Sequence, residues 1–345
     1  MVAASAGPHR VAISIVAWKG ADLTIACLRS IEPELASVPG TRVIVVDNAS
    51  PDGSADRVEQ AIREQGWGAW ATLIRAPGNL GFAAGNNIAI RSMLAQEHPA
   101  EFMLLLNPDT LVRPGALRIL VDFVAERPDV GIAGGRSEDL DATPQMCCFR
   151  FPNAANELIG YIGFGLLDRL LERHLTRLGI PEVPREVDWV SGAFMLVRKS
   201  VIEQIGLMDA GYFLYFEETD FTRRARRAGW RCWHVPHSRN VHLVGQSSGV
   251  TVHEGPPRRV PAYWFDSRRR YFVLNHGRAY AAMTDLAIIV VYPLGRLVNL
   301  LRRSPTSRPP HYYADFIRHS ALFNRSLPAP RTVPAPRRAS PRYLS

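Results

Sequence analysis

Four short apolar runs, each followed by a helix-like stretch, constrain this chain more than any other feature. Residues 11–16 (VAISIV), 43–46 (VIVV), 71–76 (ATLIRA) and 101–107 (EFMLLLN) are brief, apolar and largely without polar alternation. That is the pattern of strands buried on both faces of a parallel sheet. Between the first two, DLTIACLRSIEPEL spaces Leu23, Cys27, Leu28, Ile31 and Leu35 as a helix does. NASPDGSADRVEQAIRE reads as a turn and then a helix, NLGFAAGNNIAIRSMLAQ as a Gly-rich loop entering a helix, and PGALRILVDFVAERP as a fourth helix. The alternation predicts an α/β fold, a mainly parallel sheet flanked by helices. In such sheets ligands gather at the carboxyl ends of the strands.

Composition then divides the chain. The expectation is a disordered leader over 1–9, one α/β domain over 10–250, a helical segment over 251–303 and a disordered basic tail rich in Pro and Arg over 304–345. Four cysteines show neither metal spacing nor a disulfide framework, and MVAASAGPHR lacks the apolar core of a signal peptide. A cytoplasmic protein is expected. Residues 256–345 hold 16 Arg and no Lys against three Asp, a net of +13, which leaves −4 on the other 255 residues. The basic character belongs to the C-terminal part, which suits an anionic surface. No nucleic-acid-binding motif accompanies it, so lipid head groups are the expected partner, at the inner face of the plasma membrane. The apolar run Leu286–Gly295 is too short to span a bilayer and is interrupted by Pro293. It fits a helix lying in the membrane interface, with Arg296, Arg302 and Arg303 at the head groups, or a helix packed on the domain.

Polar motifs cluster where the strands end. In VIVVDNASPDGS, Asp47 closes a strand and can accept the imide N–H of uracil or thymine, and Asn48 shapes the turn. In RAPGNLGFAAGNN, Gly81, Ala83, Ala84 and Gly85 admit close backbone approach, and Asn79, Asn86 and Asn87 offer uncharged amides. No Gly-Lys-Ser/Thr follows, so this is not a phosphate-cradling P-loop. In LLLNPDT, the strand ends on Asn107-Pro108-Asp109. Pro108 stiffens the turn, and Asp109 can aim one carboxylate at an oxygen-loving divalent cation, Mg²⁺ or Mn²⁺, shared with substrate phosphates. In YFLYFEETDFTRRARRAGW, Glu217, Glu218 and Asp220 open a short helix whose later turns carry arginines. Three acids exceed what the helix dipole asks for, and one held ionised can take a proton from an attacking hydroxyl.

VVDNASPDGS, NLGFAAGNN, LLLNPDT, VSGAFMLVRKSVIEQIGLMD and FLYFEETDFTRRARRAGW occur in that order between about Val11 and His242. In this the chain resembles the family 2 glycosyltransferases of the GT-A fold, in their rhamnosyltransferase-like branch. The resemblance implies a GT-A-type, Rossmann-like sheet and an inverting sugar transfer to a hydroxyl. The favoured donor is dTDP-rhamnose, with a UDP-sugar such as UDP-galactofuranose as the alternative. The implied acceptor is a glycan or a polyprenyl-diphosphate-linked sugar of the cell envelope. A non-catalytic GT-A-like binding protein is the rival reading. By the same resemblance Asp47 binds the pyrimidine with Arg75 nearby, and Ala17, Trp18, Asn48, Asn107 and the loop Asn79–Gly81–Phe82–Asn86 line the nucleotide-sugar. Asp109 and His242 hold the metal. Glu218 stands at the general-base position, with Asp220 and Glu217 beside it, and Trp189, Ser191 and Gly192 line the sugar and acceptor pocket. The chain departs from the family pattern at Asn107, an amide in place of an acid, and at Ala17-Trp18-Lys19, where a Thr-Tyr-Asn-like triplet is usual.

Overall fold

The computed structural model describes residues 10–162, 176, 179–243, 258–301 and 309–327. The expected leader, most of the 304–345 tail, and Arg302 and Arg303 lie outside them.

The predicted alternation is present. Strand β1 (Val11–Ala17) is followed by α1 (Ala21–Ile31), β2 (Arg42–Asp47) by α2 (Ser54–Glu64), β3 (Ala71–Arg75) by α3 (Phe82–Leu94), and β4 (Phe102–Leu106) and β5 (Thr110–Val112) by α4 (Ala116–Ala125). Pro33 sits just past α1, where the chain tightens into a 3₁₀ turn over Glu32–Ala36. Then come β6 (Val130–Glu138), β7 (Cys148–Phe149), α5 (Ala154–Ile162), β8 (Arg185–Val187), β9 (Trp189–Val190), β10 (Phe194–Arg198) and α6 (Lys199–Ile205). They are followed by α7 (Glu217–Arg227), β11 (Arg231–His242), α8 (Ala262–His276), α9 (Arg278–Leu301) and α10 (Tyr312–His319).

The sheet runs β3-β2-β1-β4-β10-β6-β11-β5, with β8 paired to β11. Only its first half is uniformly parallel: β1 pairs parallel with β2 and β4, and β2 with β3. Beyond β4 the sheet is mixed: β10 inserts antiparallel to both β4 and β6, β5 and β8 pair antiparallel with β11, and β6 and β11 run parallel. β10 and β5 are short, and short apolar runs carry no mark of direction.

Both faces are covered. Successive β1 side chains alternate between them. Val11, Ile13 and Ile15 join a core with α1 and α4, whereas Ala12 and Val16 join one with α3, α6 and α7. Ser14, the polar residue of that second row, donates to Asn86 Oδ1 of α3 at 2.7 Å. The C-terminal helices add a small aromatic core over α5 and another beside Tyr212. α9 is therefore packed on the domain through one side, as one of the two expectations had it.

Candidate active site

The carboxyl ends of β1, β2 and β4 stand side by side, Ala17 opposite Asp47 in register and Ile15 opposite Leu106. Asp47 is buried, and one of its carboxylate oxygens accepts the Ser50 N–H at 3.0 Å. Trp18 beyond β1 is 38% exposed, with the Lys19 ammonium 4.4 Å from its ring centroid. The Lys19 N–H donates to Ser50 Oγ at 2.7 Å, so Lys19 ties the β1 and β2 turns together. Arg75 ends β3 opposite Asp47 in register. Its guanidinium pairs with Asp56 at 2.8 Å and Glu59 at 2.9 Å on α2, which directs it along that helix.

The Gly-rich loop is held from beneath. The buried Asn48 amide donates to Gly81 O at 3.1 Å and Asn79 Oδ1 at 3.3 Å, and Asn48 Oδ1 accepts the Leu80 N–H at 3.2 Å. Asn48 thus shapes the loop. Asn86 is spent in the same way, between Ser14 and Phe82 O, and its side chain belongs to the packing of α3 on β1 instead of lining a ligand. Gly81 has φ of 83°, and a Cβ there would sit 2.1 Å from Phe213 O. The Phe82 N–H donates to that same carbonyl at 2.8 Å. Phe82 also meets Gly192, whose added Cβ would lie 3.2 Å from the Phe82 ring and 3.7 Å from Glu218 Cβ. The loop, the turn at Ser191–Gly192 and the start of α7 therefore converge.

Strand register makes the second corner. β5 pairs with β11 so that Thr110 faces His242, which brings Asp109, one residue earlier, beside the imidazole. His242 Nε2 lies 3.5 Å from Asp109 Oδ1 and 3.3 Å from Asn107 Nδ2. Asp109 is 1% exposed, and its carbonyl accepts the Leu243 N–H at 2.9 Å. Asn107, Asp109 and His242 thus form one oxygen-and-nitrogen donor set. Among the described residues no group of three His, Cys, Asp or Glu surrounds a point. A cation here would draw its remaining ligands from phosphate and water, as Mg²⁺ and Mn²⁺ readily do.

The third corner is the first turn of α7. Tyr215 and Phe216, just before it, both have left-handed backbones, with φ of 71° and 69°. Bulky side chains rarely adopt that region, and each such residue costs about 1–3 kcal/mol. Packing holds them: Phe216 lies against Trp264 and Tyr271 of α8, and Tyr215 stacks on Tyr263. The three acids part company from there. Glu217 is 3% exposed, its Oε2 has no partner among the described residues, and burial followed by the neighbouring Glu218 charge pushes its carboxyl well above the usual glutamate range. Glu218 faces Gly192. Burial raises its pKa, while the amides of Glu218, Gly192 and Thr219 pull it partly back. Asp220 is already engaged, by Arg224 Nε at 2.9 Å and Asn275 Nδ2 at 2.8 Å. It fastens α7 to α8.

The two corners adjoin through Ala193, whose carbonyl accepts the Asn107 N–H at 3.1 Å and which directly follows Gly192. Trp189 stacks on Phe149 with centroids 4.2 Å apart, and Ser191 Oγ accepts the Ala193 N–H at 3.3 Å. A separate cavity of about 350 Å³ lies by the far end of α7, lined by Arg150, Arg185, Glu186, Val187, Asp188 and Arg226, and none of the expected site residues lines it. Phe213, the Tyr215–Phe216 pair and Asn275 were not anticipated. Only the aromatic density of YFLYF hinted at the first three.

A family model described as "Glycosyltransferase like family 2" matches residues 8–271. The chain belongs to glycosyltransferase family 2. Its curated relatives include rhamnosyltransferases. It is 26% identical over 226 residues to the N-acetylglucosaminyl-diphospho-decaprenol L-rhamnosyltransferase of Mycobacterium tuberculosis, covering 62% of this chain and 70% of the relative. It is 29% identical over 178 residues to the rhamnosyltransferase WbbL of Escherichia coli, covering 48% of this chain and 62% of that one. Among solved structures it is similar to the mannosyltransferase PcManGT of Pyrobaculum calidifontis, in complex with GDP-Man and Mn²⁺, with a TM-score of 0.52 and 18% identity over 89% of this chain and 78% of that one. The architecture is GT-A, and this family 2 member is a glycosyltransferase.

Proposed function

We propose that this glycosyltransferase moves L-rhamnose from dTDP-rhamnose to a hydroxyl of a polyprenyl-diphosphate-linked sugar, with inversion, at the cytoplasmic side of the plasma membrane. The donor and acceptor classes rest on the rhamnosyltransferase relatives, one of which is named for a diphospho-decaprenol-linked acceptor. The observation that carries the chemistry is the separation of the α7 acids. Asp220 is engaged by Arg224 and Asn275, Glu217 is buried with its pKa raised, and Glu218 faces the Gly192 turn with a carboxylate that burial makes more basic. A carboxylate raised in this way suits a general base.

In this reading Asp47 reads the pyrimidine edge beside Trp18, and the loop from Asn79 to Phe82 lies along the nucleotide-sugar. Asp109 and His242, with Asn107, would hold the divalent cation, which when bound offsets the charge gathering on the leaving diphosphate. Trp189, Ser191 and Gly192 border the sugar and acceptor. Glu218 accepts the proton of the attacking hydroxyl, a role worth about 10²–10⁴-fold in rate. One displacement needs no protein nucleophile, so the anomeric configuration inverts.

The test is a donor panel scored by release of nucleoside diphosphate, with a short-chain diphospholipid-linked N-acetylglucosamine as acceptor. Acceptor-dependent release from dTDP-rhamnose is expected. Faster release from a UDP-sugar reassigns the donor, and silence with every donor marks a binding protein.

A further inference from the structure

The outward side of α9 is built against the rule for a soluble helix. Its inward side is conventional: Ala281, Thr284, Asp285, Ile288 and Tyr292 are buried against α5 and α8. On the other side Met283, Leu286, Val290, Leu294, Leu297 and Leu300 are each more than half exposed. They recur every three or four residues, so they form one row along the helix, about 21 Å long from Met283 to Leu297. Ala279 and Pro293 fall on the same side and are exposed too. No polar residue interrupts the row. Monomeric proteins rarely expose a continuous apolar strip of this kind without a partner for it.

We propose that this row is a membrane-docking surface, and that α9 lies in the plane of an anionic bilayer with the row immersed. Three observations select that occupant. The first is charge. Residues 256–345 carry 16 Arg and three Asp, and each Asp is already paired: Asp266 with Arg269 and His319, Asp285 with Arg268, and Asp315 with Arg259. Among the described residues of this part each Asp is thus neutralised, while Arg278 and Arg296 stand exposed on α9 itself and offer positive charge to an anionic surface. The second tells against a second copy of this chain, since a two-fold contact along the row would bring the exposed Arg278 and Arg296 of one copy towards those of the other. The third tells against a spanning helix. Arg278–Leu297 is long and apolar enough to cross a bilayer, but 33% of it is buried in the protein. Crossing would tear Asp285 from the buried Arg268, 2.6 Å away, and carry its carboxylate into hydrocarbon. Lying flat keeps that pair and buries the row.

The docked helix is also tied to the site. α9 packs on α8, and α8 holds α7 through Asn275–Asp220 at 2.8 Å, Arg227–Asn275 O at 2.8 Å and Arg223–Tyr271 Oη at 3.1 Å. The lipid surface and Glu218 are thereby kept at a set spacing. This surface goes beyond the rhamnosyl-transfer reading and does not depend on it.

The experiment is flotation of the full chain with vesicles of phosphatidylcholine containing phosphatidylglycerol, free of polyprenyl lipid and of any donor. The wild type floats with them, and the quadruple variant Met283→Ser/Leu286→Ser/Val290→Ser/Leu294→Ser loses affinity by about tenfold or more. In a second variant, Val290→Trp, the emission added over that of the wild type's seven tryptophans shifts to the blue on vesicle addition and is quenched by lipids brominated along the acyl chain. This readout holds even if the quadruple variant proves unstable. Equal flotation of wild type and quadruple variant, or indole emission indifferent to brominated lipid, overturns the proposal. So does a wild-type dimer in light scattering that the quadruple variant dissolves, because a second copy would then cover the row.

Discussion

The Asn107–Asp109–His242 corner and the first turn of α7 adjoin through Ala193, but different forces hold them. The first is set by strand register. β5 and β11 pair residue against residue, and Asp109 falls beside His242 as a consequence of ladder hydrogen bonds. The second is set by packing from a distant part of the chain. Two left-handed aromatics are held against α8, and Asp220 is fastened to Asn275, 55 residues away. One corner is a property of the α/β domain, and the other needs the C-terminal helices. Residues 262–276 thus brace the turn that carries the α7 acids.

The contrast is sharpest at Glu218. Glu218→Gln should retain donor binding and lower turnover by about 10²–10⁴-fold, read by steady-state kinetics beside calorimetric titration of the donor. A loss of donor affinity in place of turnover would move Glu218 to the binding side. Next in size is Asp109→Asn, for which Mn²⁺-dependent nucleotide affinity should fall by at least about tenfold, since changes even around metal ligands cost that much. Wild-type affinity that is indifferent to Mn²⁺ would remove the cation from this corner altogether.

Asp220→Ala tests the packed corner from behind. It removes the carboxylate shared by Arg224 and Asn275 and should cost about 1–3 kcal/mol of stability by urea titration, with turnover of the folded fraction staying within a few-fold. A collapse of turnover as deep as that of Glu218→Gln would restore Asp220 as a candidate base. Smaller effects belong to pH. Burial raises the Glu218 pKa, so the acidic limb of the turnover profile should have its midpoint above the ordinary glutamate value. The neighbouring Glu217 should leave its mark on stability. Its folded-state pKa is raised, so its stabilising contribution is complete below the unfolded value of about 4.3 and is lost as pH rises through the folded value. Glu217→Gln removes that loss. Its melting temperature should exceed that of the wild type by a margin that grows with pH across this window.

What could be read from the sequence follows the same division. The four strand–helix units, the strand-end acids and the α7 acid cluster were legible because period, turn chemistry and charge placement are local. The antiparallel insertion of β10 was not, since FMLVR pairs equally well in either direction. The resemblance set Arg75 near Asp47; that Asp56 and Glu59 of α2 pair with its guanidinium could not be read from the sequence. Nor could the bond from Ser14 to Asn86, which joins residues 72 positions apart. Choosing among Glu217, Glu218 and Asp220 required α8, whose aromatic and amide contacts leave no periodic trace.

The contact between Gly81 and Phe213 has a mechanical consequence. With a carbonyl oxygen where a side chain would begin, and a backbone hydrogen bond one residue later, the donor-side loop and the segment leading into α7 are coupled like the two leaves of a hinge. If the proposed reaction holds, a shift of this loop on donor binding would be passed to the α7 turn, so the donor and the proposed base would be adjusted together.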